Sequence, residues 1–330
     1  MNGVVLSGTG GIWQVQRDDG AIVDASLRGR VKKSNAGRRA DGSLRRDTIA
    51  TAADTLKLAI GDRVMLEEDD SASAWTIAGI LPRRSRLARR APGGGFGERV
   101  VAANVDQVVI VFAAANPEPH PRMLDRFLVI AEANGLAARI VINKVELVGG
   151  ADEARERWRD YERAGYPVHF TSAKRDEGLD TLHDVLAGKV SVLTGPSGVG
   201  KSSLMNAMYP GLDLRVGEIS ESVNKGRHTT VGALLHPLPA VHGLPEGYVV
   251  DTPGLREIGL WGLPAESLDR LFAELRPYLA QCRFVDCAHI AEPDCAVREA
   301  VEAGAVSRAR YESYLKLREE VVAGTPPEWA

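Results

Sequence analysis

Hydrophobic and polar positions change their rhythm about a third of the way along the chain. Residues 3–16 around Trp13, 21–27, 62–66 and 74–80 are short runs rich in Val, Ile, Leu and Trp, set apart by Gly, Asp and Ser, and no long helical period links them. Several short strands interrupted by a long polar loop predict a small β-barrel of the OB type. Residues 82–97 hold five arginines before Pro92-Gly93-Gly94-Gly95, a linker composition, and the first boundary is expected there. From residue 103 onward apolar runs alternate with amphipathic ones. Strands are expected at 107–113, 138–142, 168–170, 190–193 and 248–250. Leu124, Phe127, Leu128 and Ala131 recur at helical spacing before Gly135. Further helices are expected at 151–164, 179–186, 202–208, 265–275 and 297–322. Strands alternating with helices predict a parallel α/β sheet.

Length agrees with more than one unit, since 330 residues exceed roughly 150 per domain twice over. The longest strongly apolar run, 108–115, has the length of a strand, far short of the roughly 20 residues of a spanning helix, so no membrane association is expected. The first residues lack the basic and apolar regions of a secretory signal, and the three cysteines all fall within residues 282–295, so a reducing cytoplasmic setting is expected.

Charge separates the two parts. Residues 1–100 carry 17 Lys and Arg against 12 Asp and Glu, and the remainder carries 24 against 32, so the net charge of −3 conceals opposite signs. Arg28, Arg30, Lys32, Lys33, Arg38, Arg39, Arg45 and Arg46 face only Asp41, and Arg83, Arg84, Arg86, Arg89 and Arg90 form a second cluster. Such clusters suit a polyanion.

The candidate chemistry begins with Gly195-Pro196-Ser197-Gly198-Val199-Gly200-Lys201-Ser202, which fills every fixed position of a phosphate-binding loop and is followed by Ser203. A strand leads in and a helix leads out, as the mechanism requires: glycines turn backbone N–H groups onto phosphates, Lys201 reaches the terminal phosphates and Ser202 meets Mg²⁺. Asn143-Lys144-Val145-Glu146 and Thr171-Ser172-Ala173-Lys174 each close an expected strand, where an open parallel sheet keeps its ligand crevice. A carboxylate there accepts from guanine N1–H and the 2-amino group together, a donor pair adenine lacks, and both lysines can cover the base. An ATPase of the same fold is disfavoured by those residues. Asp251-Thr252-Pro253-Gly254 follows another strand, placing Asp251 to hold Mg²⁺ through water and the Gly254 N–H to meet the γ-phosphate. Upstream, the polar stretch 224–230 offers Thr229 or Thr230 to Mg²⁺.

Two residues depart from the usual pattern. Glu146 stands where guanine readers carry Asp. Leu255 follows Gly254 where many GTPases carry a water-orienting glutamine, so His228, beside the two threonines, is the candidate to orient water. Near the C-terminus, Cys282, Cys287, His289 and Cys295 put three thiolates and an imidazole within fourteen residues, a set suited to one closed, tetrahedral structural Zn²⁺.

The base-reading motifs precede the phosphate loop, the threonine loop and the DxxG, an order that amounts to circular permutation. With the basic barrel-like start and the cysteine cluster, the whole chain resembles the RsgA (YjeQ, EngC) family of circularly permuted GTPases that depend on the small ribosomal subunit. That resemblance implies three units: residues 1–90, an OB-type barrel binding RNA; 91–270, a permuted P-loop GTPase core; and 271–330, a zinc-binding module with a C-terminal helix. It implies a monomer that hydrolyses GTP with Mg²⁺ and binds the small subunit and its rRNA, nucleotide state timing binding and release in late assembly. The family shares a hydrophobic residue at the Leu255 position. The rival is an RNA- and zinc-binding adaptor whose pocket senses GTP or GDP with negligible turnover.

Overall fold

The computed structural model describes the chain apart from residues 28–57, 70–73, 91–97, 213, 215–232, 241–242, 244, 252–263 and 325–330. Within the first part, β1 (Asn2–Thr9), β2 (Ile12–Arg17), β3 (Ile22–Leu27), β4 (Arg63–Asp69) and β5 (Ala74–Ile80) close a barrel in the order β1-β2-β3-β5-β4. Alternation along these strands turns Val5, Val15, Ala25, Val64, Leu66 and Ile77 inward, and all six are buried. Residues 3–16 form a hairpin, because Gly10 and Gly11 both take positive φ, 64° and 90°, between Thr9 and its partner Ile12. Positive φ at both central residues matches the twist of the flanking strands.

The arginine-rich stretch expected to be a linker contributes β6 (Arg86–Arg90), which pairs antiparallel with β7 (Glu98–Ala103). Leu87, Ala88, Ala102 and Ala103 supply the buried positions that composition alone obscures. This ribbon fastens the barrel: Asn104 Nδ2 donates to Gly61 O at 2.8 Å, and Arg83 grips the buried Asp62 carboxylate through two bonds of 2.6 and 2.7 Å. A Cβ on Gly61, at φ +79°, would lie 2.2 Å from Ala103 O, so only glycine permits that approach.

The central sheet comprises β8 (Gln107–Ala113), β9 (Ala137–Asn143), β10 (Val168–Phe170), β11 (Val190–Thr194), β12 (Leu234–Leu238) and β13 (Gly247–Asp251), in the order β10-β9-β8-β11-β13-β12. All neighbours are parallel except β12, which runs antiparallel to β13 at the edge. The sequence pattern does not announce β12, whose His236-Pro237 is tolerated because an edge strand need not donate every N–H. One face of the sheet packs under α1 (Pro121–Ala133) and α2 (Ala151–Arg163), the other under α3 (Leu179–Leu186) and α4 (Lys201–Met208).

Residues 265–275 differ from expectation. They form two 3₁₀ turns, Ala265–Ser267 and Asp269–Leu271, and the short α5 (Arg276–Leu279) begins only after them. Leu268, Phe272 and Leu275 keep helical spacing, yet Phe272 takes extended backbone (φ −99°, ψ 106°), and its ring packs edge-on against Tyr314. The expected tail helix divides into α6 (Ala296–Glu302) and α7 (Arg308–Ala323), interrupted at Gly304 with φ 73°. Both pack onto the α1 side of the sheet. There Arg310, 3% exposed, bonds Asp125 of α1 and, at 2.6 and 3.1 Å, Glu274, between the rings of Tyr161 and Phe272. No described helix is long and apolar enough to cross a membrane.

Candidate functional site

β11 is fully enclosed between β8 and β13, so the loop that leaves its C-terminal end starts from a rigid edge. Gly195 (φ 137°) passes so close to β8 that a Cβ would meet Val111 O at 2.0 Å. Gly198 and Gly200 are left-handed at 75° and 90°, turning the loop into the first turn of α4, where Lys201, the buried Ser202 and Ser203 sit. Lys201 Nζ donates to Gly195 O and Pro196 O at 2.8 and 2.7 Å, which draws it across the mouth of the loop. Ser197 is exposed at the loop tip, and Val199 is buried beneath it.

The two tetrapeptides expected to read the base converge on this loop. Asn143, 1% exposed at the end of β9, donates from Nδ2 to Val199 O at 3.0 Å, while its Oδ1 takes Thr171 Oγ1–H and Ala173 N–H, both at 3.3 Å. One amide therefore joins three loops. Lys144, left-handed at φ 62°, donates to Gly198 O at 2.6 Å and to Asn116 O. Ser172 and Glu177 exchange two backbone bonds of 3.0 and 3.1 Å, closing the loop that carries the exposed Lys174. Glu146 follows Val145 in the short turn Val145–Leu147; its Oε2 is buried and has no hydrogen-bond partner among the described residues. A buried acceptor without a donor costs about 1–3 kcal/mol, which a ligand N–H would relieve. No motif in the sequence marks Asn116, although its place just past β8, at the C-terminal edge where such sheets bind ligands, does.

Register sets Asp251, the last residue of β13, beside Leu193 of β11, one residue before the strand ends. His228, Thr229, Thr230, Gly254 and Leu255 lie outside the described residues, as do the basic positions Arg28 to Arg46.

The second site is the cysteine cluster. The ligand atoms of Cys282, Cys287, His289 and Cys295 lie within 4.8 Å of one another. Cys282 Sγ is 3.6 Å from His289 Nδ1 and 4.0 Å from Cys295 Sγ, and Nδ1 is 3.4 Å from Cys295 Sγ. A tetrahedral ion bonded to thiolates at about 2.3 Å separates its donors by about 3.8 Å, so the donor set fits a four-coordinate metal. Burial pushes the Cys287 thiol up to about 12 when no cation is present to replace its proton.

Against known proteins, the family description RsgA GTPase matches residues 80–261. A curated relative from Gemmatimonas aurantiaca, named small ribosomal subunit biogenesis GTPase RsgA, is 57% identical over 321 residues, covering 97% of each chain. This chain belongs to the RsgA GTPase family. The crystal structure of YjeQ from Thermotoga maritima superposes with a TM-score of 0.75 at 34% identity, covering 97% of this chain and 98% of that one. A structure described as YloQ, a circularly permuted GTPase, gives 0.69 at 27% identity, covering 99% and 96%. The permuted RsgA order of motifs thus sits on one continuous sheet, in which β9 pairs with β8 and β8 pairs directly with β11.

Proposed function

We propose that this chain is a GTP hydrolase acting in late maturation of the small ribosomal subunit, its nucleotide state timing binding and release. The ribosomal half follows from the printed names of its relatives. The nucleotide half is carried by one observation: Asn143 ties both base-reading loops to the phosphate loop, and three residues on a buried Glu146 oxygen has no donor among the described residues. In this reading, guanine N1–H and the 2-amino group satisfy Glu146 while the stems of Lys144 and Lys174 cover the base. Backbone N–H groups of residues 195–200 and the Lys201 ammonium take the phosphates, which sit at the N-terminal end of α4.

Mg²⁺ bound with the nucleotide supplies charge neutralisation at the β- and γ-phosphates. Ser202, Asp251 and either Thr229 or Thr230 would hold it. The Gly254 N–H meets the γ-phosphate, and His228 orients the attacking water in place of the amide that Leu255 cannot supply. Cys282, Cys287, His289 and Cys295 hold one Zn²⁺ per chain, and the cations of residues 28–46 take rRNA phosphates. The chain works as a cytoplasmic monomer of three units, 1–90, 91–270 and 271–330.

Multiple-turnover GTP hydrolysis, measured in parallel with purified small subunits, large subunits and free RNA, tests this reading. Acceleration by small subunits alone is expected. His228→Ala should remove most of that acceleration while leaving GTP affinity and subunit binding nearly unchanged. Turnover indifferent to the small subunit would leave the adaptor reading in its place, and an unimpaired variant would return water positioning to the threonines or the backbone.

A further inference from the structure

His289 is held from three directions, and only one of them belongs to the cysteine loop. Its ring is 2% exposed, with Nδ1 facing the sulfurs of Cys282 and Cys295. Its backbone is left-handed at φ 59°, uncommon for a residue with a Cβ. The Tyr311 hydroxyl donates to its carbonyl, and the neighbouring Ala288 carbonyl accepts from Tyr314 at 2.9 Å. The remaining ring nitrogen, Nε2, stands 3.4 Å from Asp269 Oδ2, at the outer end of hydrogen-bonding range.

We propose that Asp269 is the outer-shell partner of this metal site, accepting the Nε2–H of His289 and so fixing the imidazole with Nδ1 as the ligand nitrogen. The proposal rests on the reading of the cysteine cluster as a zinc site. Imidazole ligands commonly give their second N–H to a carboxylate, which sets the tautomer, orients the ring and raises its basicity. Asp269 is a positioning residue; it touches no ligand position itself.

Its place in the chain gives the contact a second consequence. Asp269 opens the 3₁₀ turn that follows Leu268 and precedes Phe272, both 0% exposed in the core shared with Leu124 and Leu128 of α1. The carboxylate is therefore anchored to the packed helical layer of the sheet, independently of the loop spanning residues 282–295. Through it the metal holds the loop against that layer as well as closing the loop on itself.

Elemental analysis of the unmodified protein first separates the two claims, because absence of stoichiometric zinc would end the zinc reading whatever Asp269 does. Zinc release to excess chromogenic chelator is then followed in Asp269→Ala and Asp269→Asn. Loss of an outer-shell partner weakens metal retention about 10–100-fold, so release from Asp269→Ala should be at least about tenfold faster. Asp269→Asn should fall between, since its amide oxygen still accepts from Nε2–H. In a His289→Cys background, where no imidazole remains to orient, Asp269→Ala should add nothing. Equal acceleration in both backgrounds would make Asp269 a general packing residue and overturn the proposal. Imidazole ¹⁵N shifts of the unmodified zinc-loaded protein give an independent check: a protonated Nε2 and metal-bound Nδ1 are expected, and the reverse assignment would overturn it.

Discussion

At residues 195–202 the loop leaves the end of an enclosed strand, and apolar layers lie on both faces of the sheet beneath it. At residues 282–295 there is no helix or strand, and the groups that would face the ligand are side chains. The first site is a product of packing, so its backbone donors are in place before any ligand arrives. The second has little apolar surface of its own: Phe284, Val285 and Ile290 are exposed, Cys282 and Cys287 only flank the core of the neighbouring helices, and Cys295 alone of the three cysteines is buried in it. On the zinc reading, the difference is in what supplies the folding free energy, the sheet in one case and a cation in the other.

Metal removal is the largest test of that contrast. Chelation should release residues 282–295 and loosen α6 and α7, since structural zinc contributes on the order of 10 kcal/mol to small modules. GTP affinity should stay within a few-fold. Hydrogen exchange followed segment by segment, with nucleotide titration of the same sample, checks both halves. Equal loss of protection in the central sheet would erase the distinction.

Arg310 is one place where the sheet and the C-terminal segment are joined, because Asp125 comes from the sheet's own helix and Glu274 and Arg310 from the C-terminal segment. Burial works against the Arg310 charge, but the two carboxylates outweigh it and keep the guanidinium protonated. Arg310→Met preserves volume and strands two buried carboxylates, which costs about 3–5 kcal/mol. Denaturant unfolding should show that loss, with the C-terminal segment separating before the sheet.

These joints were the least legible part of the chain. Motifs with tight spacing could be read directly: the loop at 195–202, the tetrapeptides at 143–146 and 171–174, and the Cys282, Cys287, His289 and Cys295 cluster each occupy a short window. Continuous apolar strands such as Val-Val-Ile-Val-Phe in β8 were equally plain. Arg310 and Asp125 are 185 residues apart, and Asp269 precedes His289 by 20, with nothing in the local pattern to pair them. β6 was hidden because its arginines resemble a solvated linker. The false helix at 265–275 arose because 3₁₀ turns and an α-helix can share one apolar spacing, and only the extended backbone at Phe272 separates them.

Glu146→Ala acts on the packed site alone. Hydrogen bonds to a charged acceptor are worth about 1.5–3 kcal/mol each, so removing the carboxylate should weaken GTP binding tenfold or more. ATP binding should change little, because adenine has no matching donor pair. Parallel titrations with both nucleotides check this, and the metal content of the variant should equal that of the unmodified protein.

The smallest effect concerns Glu292, which organises the cysteine loop by backbone contacts in miniature. Its Oε1 accepts Ala288 N–H at 2.8 Å, and its Oε2 accepts Ile290 N–H and Ala291 N–H at 2.8 and 3.0 Å. Burial works against its charge, but these N–H groups and its own outweigh it and hold the carboxyl down at about 2. An unfolded glutamate titrates near about 4.3. A folded value below the unfolded one contributes stability that is fully present above about pH 4.3 and is lost as pH falls toward 2. At neutral pH the contribution is therefore intact in the unmodified protein. Glu292→Gln should remove part of it there, because one carboxylate oxygen becomes an amide nitrogen that cannot accept. Faster hydrogen exchange at Ala288, Ile290 and Ala291 is expected, with GTP affinity unchanged. Unaltered exchange at those amides would mean that the metal and the Tyr311 and Tyr314 hydroxyls suffice to hold the loop, and the two sites would then differ even more sharply in how little the backbone of the second contributes.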